Sequence, residues 1–266
     1  MSSGPEYLFT RDFIDNNRIN LQHYQWIELF GYHVHPRIPI DDPNLRVADI
    51  ATGTGVWLTD LSTRLPSTAH LDGFDISLKA TPPANWLPSN VTFQTWDIRG
   101  DIPEALLGRY DIVHIRLLSF VLRDEEVPQP GGYLQWAEAD VTSFRIEKSS
   151  PANDSQALER LLVLSQGQDA RLNPTWARQL AATFAAVGGL DQVEEDLRDA
   201  PRHLAISMHE CNLMLHELLA RTTKNEAMAK ELEGLLVRVA DETRKGACWA
   251  FTRLTVVGRK PETADV

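Results

Sequence analysis

Apolar residues change their spacing along the chain, and each change marks an element. Leu21, Tyr24, Ile27 and Phe30 recur in three-residue steps with Trp26 beside them, which predicts a helix near the start. Pro36, Pro39 and Pro43 end that region as a loop. From Arg46 onward, short apolar runs alternate with helical or loop stretches. Arg46–Ile50, Leu71–Ser77, Val91–Ile98, Tyr110–Leu118 and Gly132–Asp140 read as five strands. A helix over Val56–Leu65 follows the first, and Pro82, Pro83 and Pro88 break up the connection after the second. Strands separated by crossovers predict parallel βαβ units. The later half is richer in helix. Leu158, Leu161, Leu162 and Ser165 predict one helix, and Trp176, Leu180, Phe184 and Val187 another, stopped by Gly188 and Gly189. Gln192–Arg198 is a candidate sixth strand. Two helices come next, one with Leu204, Met208, Cys211, Leu215 and Leu218 on a face, the other with Met228, Leu232, Leu235 and Val239. Ala247–Gly258 reads as a final strand. The expected organisation is a helical entry segment over 1–45, an α/β domain over 46–261 with a late helical insertion at about 203–242, and a loose tail over 262–266.

Composition narrows the class. A chain of 266 residues can bury a real core, and 43% apolar with 24% charged residues is ordinary for a globular protein. Lys and Arg number 26 against 37 Asp and Glu, a formal charge of −11, which argues against a dedicated nucleic-acid binder. No apolar run approaches the ~20 residues of a membrane span. Glu6, Arg11 and Asp12 stand where a secretory signal needs an unbroken apolar core. Two cysteines, Cys211 and Cys248, cannot form a disulfide framework and suit a reducing compartment. The expectation is a cytoplasmic or nuclear protein with no membrane partner.

The chemically informative segment runs from Val47 through Asp49, Ala51 and Gly53 to Gly55. A strand enters a Gly-rich turn that opens a helix, where glycines let the backbone approach a ligand and the helix start offers unpaired N–H groups. Asp75 ends the next strand, a position from which a carboxylate can grip ribose hydroxyls. A dinucleotide site would want G-x-G-x-x-G, but those positions are Ala51, Gly53 and Val56, which speaks against a nicotinamide oxidoreductase. Alternate glycines, read as Ala51, Gly53 and Gly55, fit better. Asp49, ahead of the turn, would repel pyrophosphate and favour a cationic nucleoside such as S-adenosylmethionine. The other reading is a Gly-rich turn that binds nothing. Asp49, Asp75 and Asp97 all lie at or near strand ends, where ligands of doubly wound sheets sit.

The segments VADIATGTGVW, LDGFDIS, WDI, YDIVHIRLL and PGGYLQWAEAD, in that order, resemble the class I S-adenosylmethionine-dependent methyltransferases. RINLQHYQW and HVHPRIP are similar to a filamentous-fungal group of that family tied to secondary metabolism. The resemblance covers roughly Tyr7 to Lys260. It implies a Rossmann-like, doubly wound α/β sheet of seven strands with the last antiparallel, a helical lid over the substrate pocket, and S-adenosyl-L-methionine as cofactor, leaving S-adenosyl-L-homocysteine. It further implies that Asp49, Gly53 and Gly55, with Ala51 in place of a glycine, line the methionine part. Asp75 would hold the ribose with Ile76 against the adenine. Asp97 would accept from the adenine amino group beside Ile98, and Arg116 or its neighbours would face the transferred methyl. Ala51 fits if its φ stays negative. The acceptor is expected to be a small molecule, with oxygen as the methyl-accepting atom. A non-catalytic, cofactor-binding regulator with a protein partner is the alternative. The family has a full helix between strands four and five, whereas only Ser119–Gln129 separate Leu118 from Pro130 here. The sheet face beside those strands is therefore expected to lack cover.

For proton transfer the candidates are His114 on strand four, Glu138 on strand five and His23 in the entry helix. Each also has a bland reading: His114 as a hydrogen-bonded core residue, His23 as a helix-surface residue. His209 and His216, seven apart on one helix, share a face that is either lid or solvent. His33 and His35 lack a supporting ligand pattern, so no metal site is expected. Tyr24, Trp26 and Trp136 are candidates to pack on the cofactor or an aromatic substrate, or to be core.

Overall fold

The alternating runs assemble into one seven-stranded sheet. The computed structural model of the chain describes residues 11–118, 132–166, 174–186 and 190–261. The strands are β1 (Arg46–Ile50), β2 (His70–Asp75), β3 (Val91–Thr95), β4 (Ile112–Arg116), β5 (Tyr133–Lys148), β6 (Asp191–Arg198) and β7 (Ala247–Arg259). Their order is β3-β2-β1-β4-β5-β7-β6. The neighbours from β3 to β5 are parallel, and β7 runs antiparallel to both β5 and β6. The chain order reverses direction across the sheet between β1 and β4, the place where ligands of such sheets bind. This is the Rossmann-like α/β arrangement anticipated from the alternation of elements.

The helices are α1 (Phe13–Phe30), α2 (Val56–Ser62), α3 (Gln156–Gln166), α4 (Leu180–Ala186), α5 (Arg202–Thr222) and α6 (Glu226–Arg244). Asp12 caps α1 by accepting from the N–H groups of Ile14 and Asp15, and Gly31 ends it with φ +80. The buried face of α1 differs from the sequence expectation. Leu21 and Tyr24 are exposed, whereas Arg18, His23, Gln25 and Trp26 are buried. Polar groups are tolerated inside because each is bonded: His23 to Asp60 at 2.9 Å and Gln25 to Ser207 at 2.9 Å.

Two cores flank the sheet. Trp57, Leu58 and Leu61 of α2 pack on Val47 and Leu71, while the opposite face carries Ile50, Phe74, Ile115, Trp136 and Leu254. On that opposite face the expected lack of cover does not arise. Trp176 and Ala177 of a 3₁₀ turn and Leu180 and Phe184 of α4 pack over it, so Ile115 is 1% and Trp136 0% exposed. The segment Ser119–Gln129 itself lies outside the described residues, as do the stop at Val187–Gly189 and the tail from 262.

Strand five runs on past its expected end at Asp140. The polar Asp140, Thr142 and Ser143 form an irregularity in the pairing, after which Arg145 to Lys148 pair again with Ala250 to Ala247. This extension of β5 and β7 carries Phe144, Ile146 and Trp249 into a third core with α3, α5 and α6. The buried Glu242 of α6 accepts from the N–H groups of Ala157 and Leu158 at 2.8 and 3.0 Å, joining α6 to the start of α3. The helical insertion is thereby seated on one end of the sheet, with α1 packed against α5.

Candidate active site

The turn after β1 uses the left-handed region three times in alternation, at Ala51 (φ +56), Gly53 (φ +59) and Gly55 (φ +74). The expectation of a negative φ at Ala51 is therefore corrected: the turn's geometry imposes a conformation that favours glycine. At Gly55 no side chain fits, because a Cβ would stand 2.2 Å from the ring of Phe93. Replacing Ala51 by Gly is expected to stabilise the protein by about 0.5 kcal/mol, the αL cost of ~1–2 kcal/mol less the entropy of glycine. Ala51→Val should destabilise it. Urea unfolding of the two variants checks both signs.

Around this turn lies a cavity of about 170 Å³. Asp49, Ala51, Gly53, Asp75, Ile76, Asp97, Ile98, His114 and Arg116 all line it, together with Ile19 and Gln22 of α1. Of the predicted cofactor residues, Gly55 does not; its place is behind the turn, against Phe93. Asp49 accepts from the Thr52 hydroxyl at 2.6 Å and from Nδ1 of His114 at 2.7 Å. The His114 ring stacks on Trp57 with centroids 3.7 Å apart, and burial pulls its pKa down, so it is neutral with its proton on Nδ1. Asp75 accepts from the backbone N–H groups of Gly53 (3.0 Å) and Ser77 (3.1 Å). Burial nevertheless raises its pKa, outweighing those two bonds. Asp97 is turned onto Arg99, which donates through Nε at 3.0 Å and a terminal nitrogen at 2.8 Å and lowers its pKa.

His23, expected as a proton-transfer candidate, has both ring nitrogens engaged. Arg116 donates to its Nδ1 at 3.0 Å, and Nε2 donates to Asp60 at 2.9 Å, so its lone pair is occupied. Burial and the Arg116 charge lower its pKa to about 4. The carboxylate of Glu138 is likewise engaged. It is wholly buried on the sheet face of Trp136 and Leu254, accepting from the Leu118 N–H at 2.7 Å and the Trp136 indole at 2.8 Å. It lines neither cavity described here. Trp136 is core, 5.4 Å from Trp176, and Tyr24 is exposed. His209 and His216 face inward, with burial lowering both to about 4. His33 joins His23 and Asp60 in a cluster whose ligand atoms lie within 4.8 Å of one another. Arg116 and Arg64 already donate to the two imidazoles, and these cations oppose a metal ion there.

A second cavity, about 390 Å³, lies between the β5–β7 extension and α1, α3 and α5. Its walls are largely apolar, from Trp26, Val141, Leu162, Met208, Trp249 and Phe251. Gln22, Leu117 and Leu215 line both cavities and mark where they adjoin. Leu117 holds φ +56 at the end of β4, a strained backbone at the junction. Leu117 is among the neighbours of Arg116 expected here and Leu215 lies on the expected lid face, whereas sequence reasoning missed Arg253, whose signal was a cation within the apolar run of β7.

Fold order, turn and paired cavities define the class I methyltransferase architecture. No protein-family model matches the chain. Among curated relatives, the N-methyltransferase gliN of Aspergillus fumigatus is 30% identical over 210 residues, 73% of this chain and 71% of its own length. The N-methyltransferase tcpN of Claviceps purpurea is 29% identical over 143 residues, 49% of this chain and 51% of its own. A secondary metabolism regulator of Hypocrea atroviridis is 28% identical over 148 residues, 52% of this chain and 41% of its own. The chain belongs to the fungal secondary-metabolism group of class I S-adenosylmethionine-dependent methyltransferases. It spans about half the length of several of the curated relatives it matches. No described helix is long and apolar enough to cross a membrane.

Proposed function

We propose that the first cavity holds S-adenosylmethionine and that the protein transfers its methyl group to a nitrogen of a small, largely apolar acceptor in the second. The observation that carries this reading is the adjoining of the two cavities at Gln22, Leu117 and Leu215. The donor set suits the cofactor. Asp75, desolvated and with a raised pKa, gains from hydroxyl donors such as those of a ribose. Arg18 and Arg116, which line the cavity together with Asp49, match a group that bears both a carboxylate and an ammonium. When bound, the cofactor supplies an electrophilic methyl on a sulfonium.

The chain's own residues then orient and enclose. Asp49 fixes the His114 ring, and α1 and α5 supply Gln22 and Leu215 at the junction. Nitrogen replaces oxygen as the acceptor atom because several relatives are named N-methyltransferases. The chemistry of the site agrees. Among the described residues no Asp or Glu lines the second cavity, and the depressed His216 and His114 are weak bases. An acceptor that brings its own lone pair needs no strong base, and positioning supplies much of the rate. In this reading residues 1–45 form an entry segment and α5 with α6 a lid.

Isothermal titration with S-adenosylmethionine tests the proposal. The folded chain should bind, and Asp75→Ala should weaken binding at least tenfold; absence of binding by the folded protein overturns it. Protonating Asp75 removes acceptor capacity, so affinity should also fall as the pH drops through its raised pKa. A second reading, a cofactor-binding regulator, draws on the likeness to the Hypocrea atroviridis protein. Binding without turnover across a panel of amine and hydroxyl acceptors would favour it.

A further inference from the structure

The second cavity contains one feature its apolar walls do not account for. Arg253, on the same face of β7 as Trp249 and Phe251, lines it and is 8% exposed. Among the described residues no carboxylate forms an ion pair with its guanidinium, whose printed hydrogen bond goes to the Phe251 carbonyl at 3.3 Å. The described charged neighbours are spoken for. Asp199 is paired with Arg145 at 3.1 Å, and the Cys211 thiol is pushed up to about 11 by burial and so is uncharged. Arg253 falls to about 10 through burial and still carries its charge at neutral pH. The other ionisable group among the described residues of the cavity, His216, is neutral, with its Nδ1 on the Asn212 carbonyl at 3.1 Å. Among the described residues, a cavity of about 390 Å³ thus carries a positive charge, in a chain whose formal charge is −11. A buried cation without a partner is costly, and an anionic ligand removes that cost while the apolar walls take its body.

We propose that Arg253 is the anion-binding end of the second cavity and that the acceptor is an apolar small molecule bearing a carboxylate. This rests on reading that cavity as the acceptor site. Arg253 does not line the first cavity, so the carboxylate anchors one end of the molecule while the methylated atom reaches the junction at Leu117 and Leu215. A planar guanidinium suits this task because it can hold a carboxylate through two parallel bonds.

Isothermal titration of the full chain with indole-3-acetate and with its neutral isostere indole-3-acetamide tests the assignment. The acetate should bind the wild type at least tenfold more tightly. Arg253→Gln should bind the two probes equally, and Arg253→Lys should keep part of the preference. Equal binding by the wild type, no binding of the acetate at millimolar concentration, or a preference that survives in Arg253→Gln would each overturn it. The wild-type comparison stands even where a variant fails to fold. The same titrations are repeated with S-adenosylhomocysteine. A carboxylate preference in a protein that binds no cofactor would support the anion site while overturning the methyltransferase reading, so the two failures are distinct.

Discussion

Moving the protein from pH 7 to pH 5 is expected to lower its Tm by roughly 10–20 °C. The cause is the set of histidines held neutral inside the fold. His23, His209 and His216 are each lowered from 6.5 to about 4, chiefly by burial. His35 and His114 are shifted the same way. At His23, His209 and His216 the unfolded chain takes up its protons near pH 6.5, whereas the folded chain resists until about 4. Their stabilising contribution is therefore full above the unfolded pKa and is lost as the pH falls through that window. At pH 5 each of the three costs about 2 kcal/mol, or roughly 6 kcal/mol together, against a total stability of about 5–15 kcal/mol. Asp75, with a raised pKa, acts in the opposite direction and offsets a small part. Thermal unfolding followed by circular dichroism at half-unit steps measures the slope. A Tm that stays flat from pH 7 to 5 would refute the burial of neutral imidazoles, and His209→Gln should make the slope shallower.

Glu138→Ala is expected to destabilise the protein by about 3–5 kcal/mol, because it leaves two buried donors without an acceptor. Those donors are the Leu118 N–H and the Trp136 indole, both inside the core. The first of them follows Leu117, whose φ of +56 is maintained only while its neighbours are fixed. The Leu117 N–H is tied to the Ala137 carbonyl at 2.9 Å, so strand five holds this residue from both sides. Glu138 is accordingly a positioning residue for the junction of the two cavities. Glu138→Gln keeps an acceptor oxygen and should lose far less stability. Should Glu138→Gln fold as well as the wild type yet lose methyl transfer with cofactor binding intact, the carboxylate would be acting chemically and the positioning account would fail.

The elements of the sheet were legible because period and punctuation agree there. Strand β1 reads as an apolar run closed by a Gly turn, and its bounds match the observed Arg46–Ile50. The extension of β5 was not legible, since Asp140, Thr142 and Ser143 interrupt the alternation that reveals a strand. Only pairing with β7 carries the strand across that interruption. Helix α1 shows the same limit. Its apolar period pointed to Leu21 and Tyr24, yet the buried side is the one whose polar groups find partners 37 and 182 residues away. At the site, the strand-end rule brought Asp49, Asp75 and Asp97 to one cavity. That rule places residues without assigning their hydrogen bonds. His23 and Glu138 were candidates by residue type, and their occupied atoms are visible only when their partners are.

The sequence by itself determined the βαβ order, the alternating turn from Ala51 to Gly55 and the acids at the strand ends, because these depend on spacing within a few residues. Tertiary structure decided the rest. It set the sign of φ at Ala51, imposed by the whole turn, and the cover over Trp136, supplied by residues some forty positions away. It also decided which imidazoles are neutral and formed the second cavity around Arg253. Burial and unmatched charge arise only when distant segments meet, so no local pattern carries them.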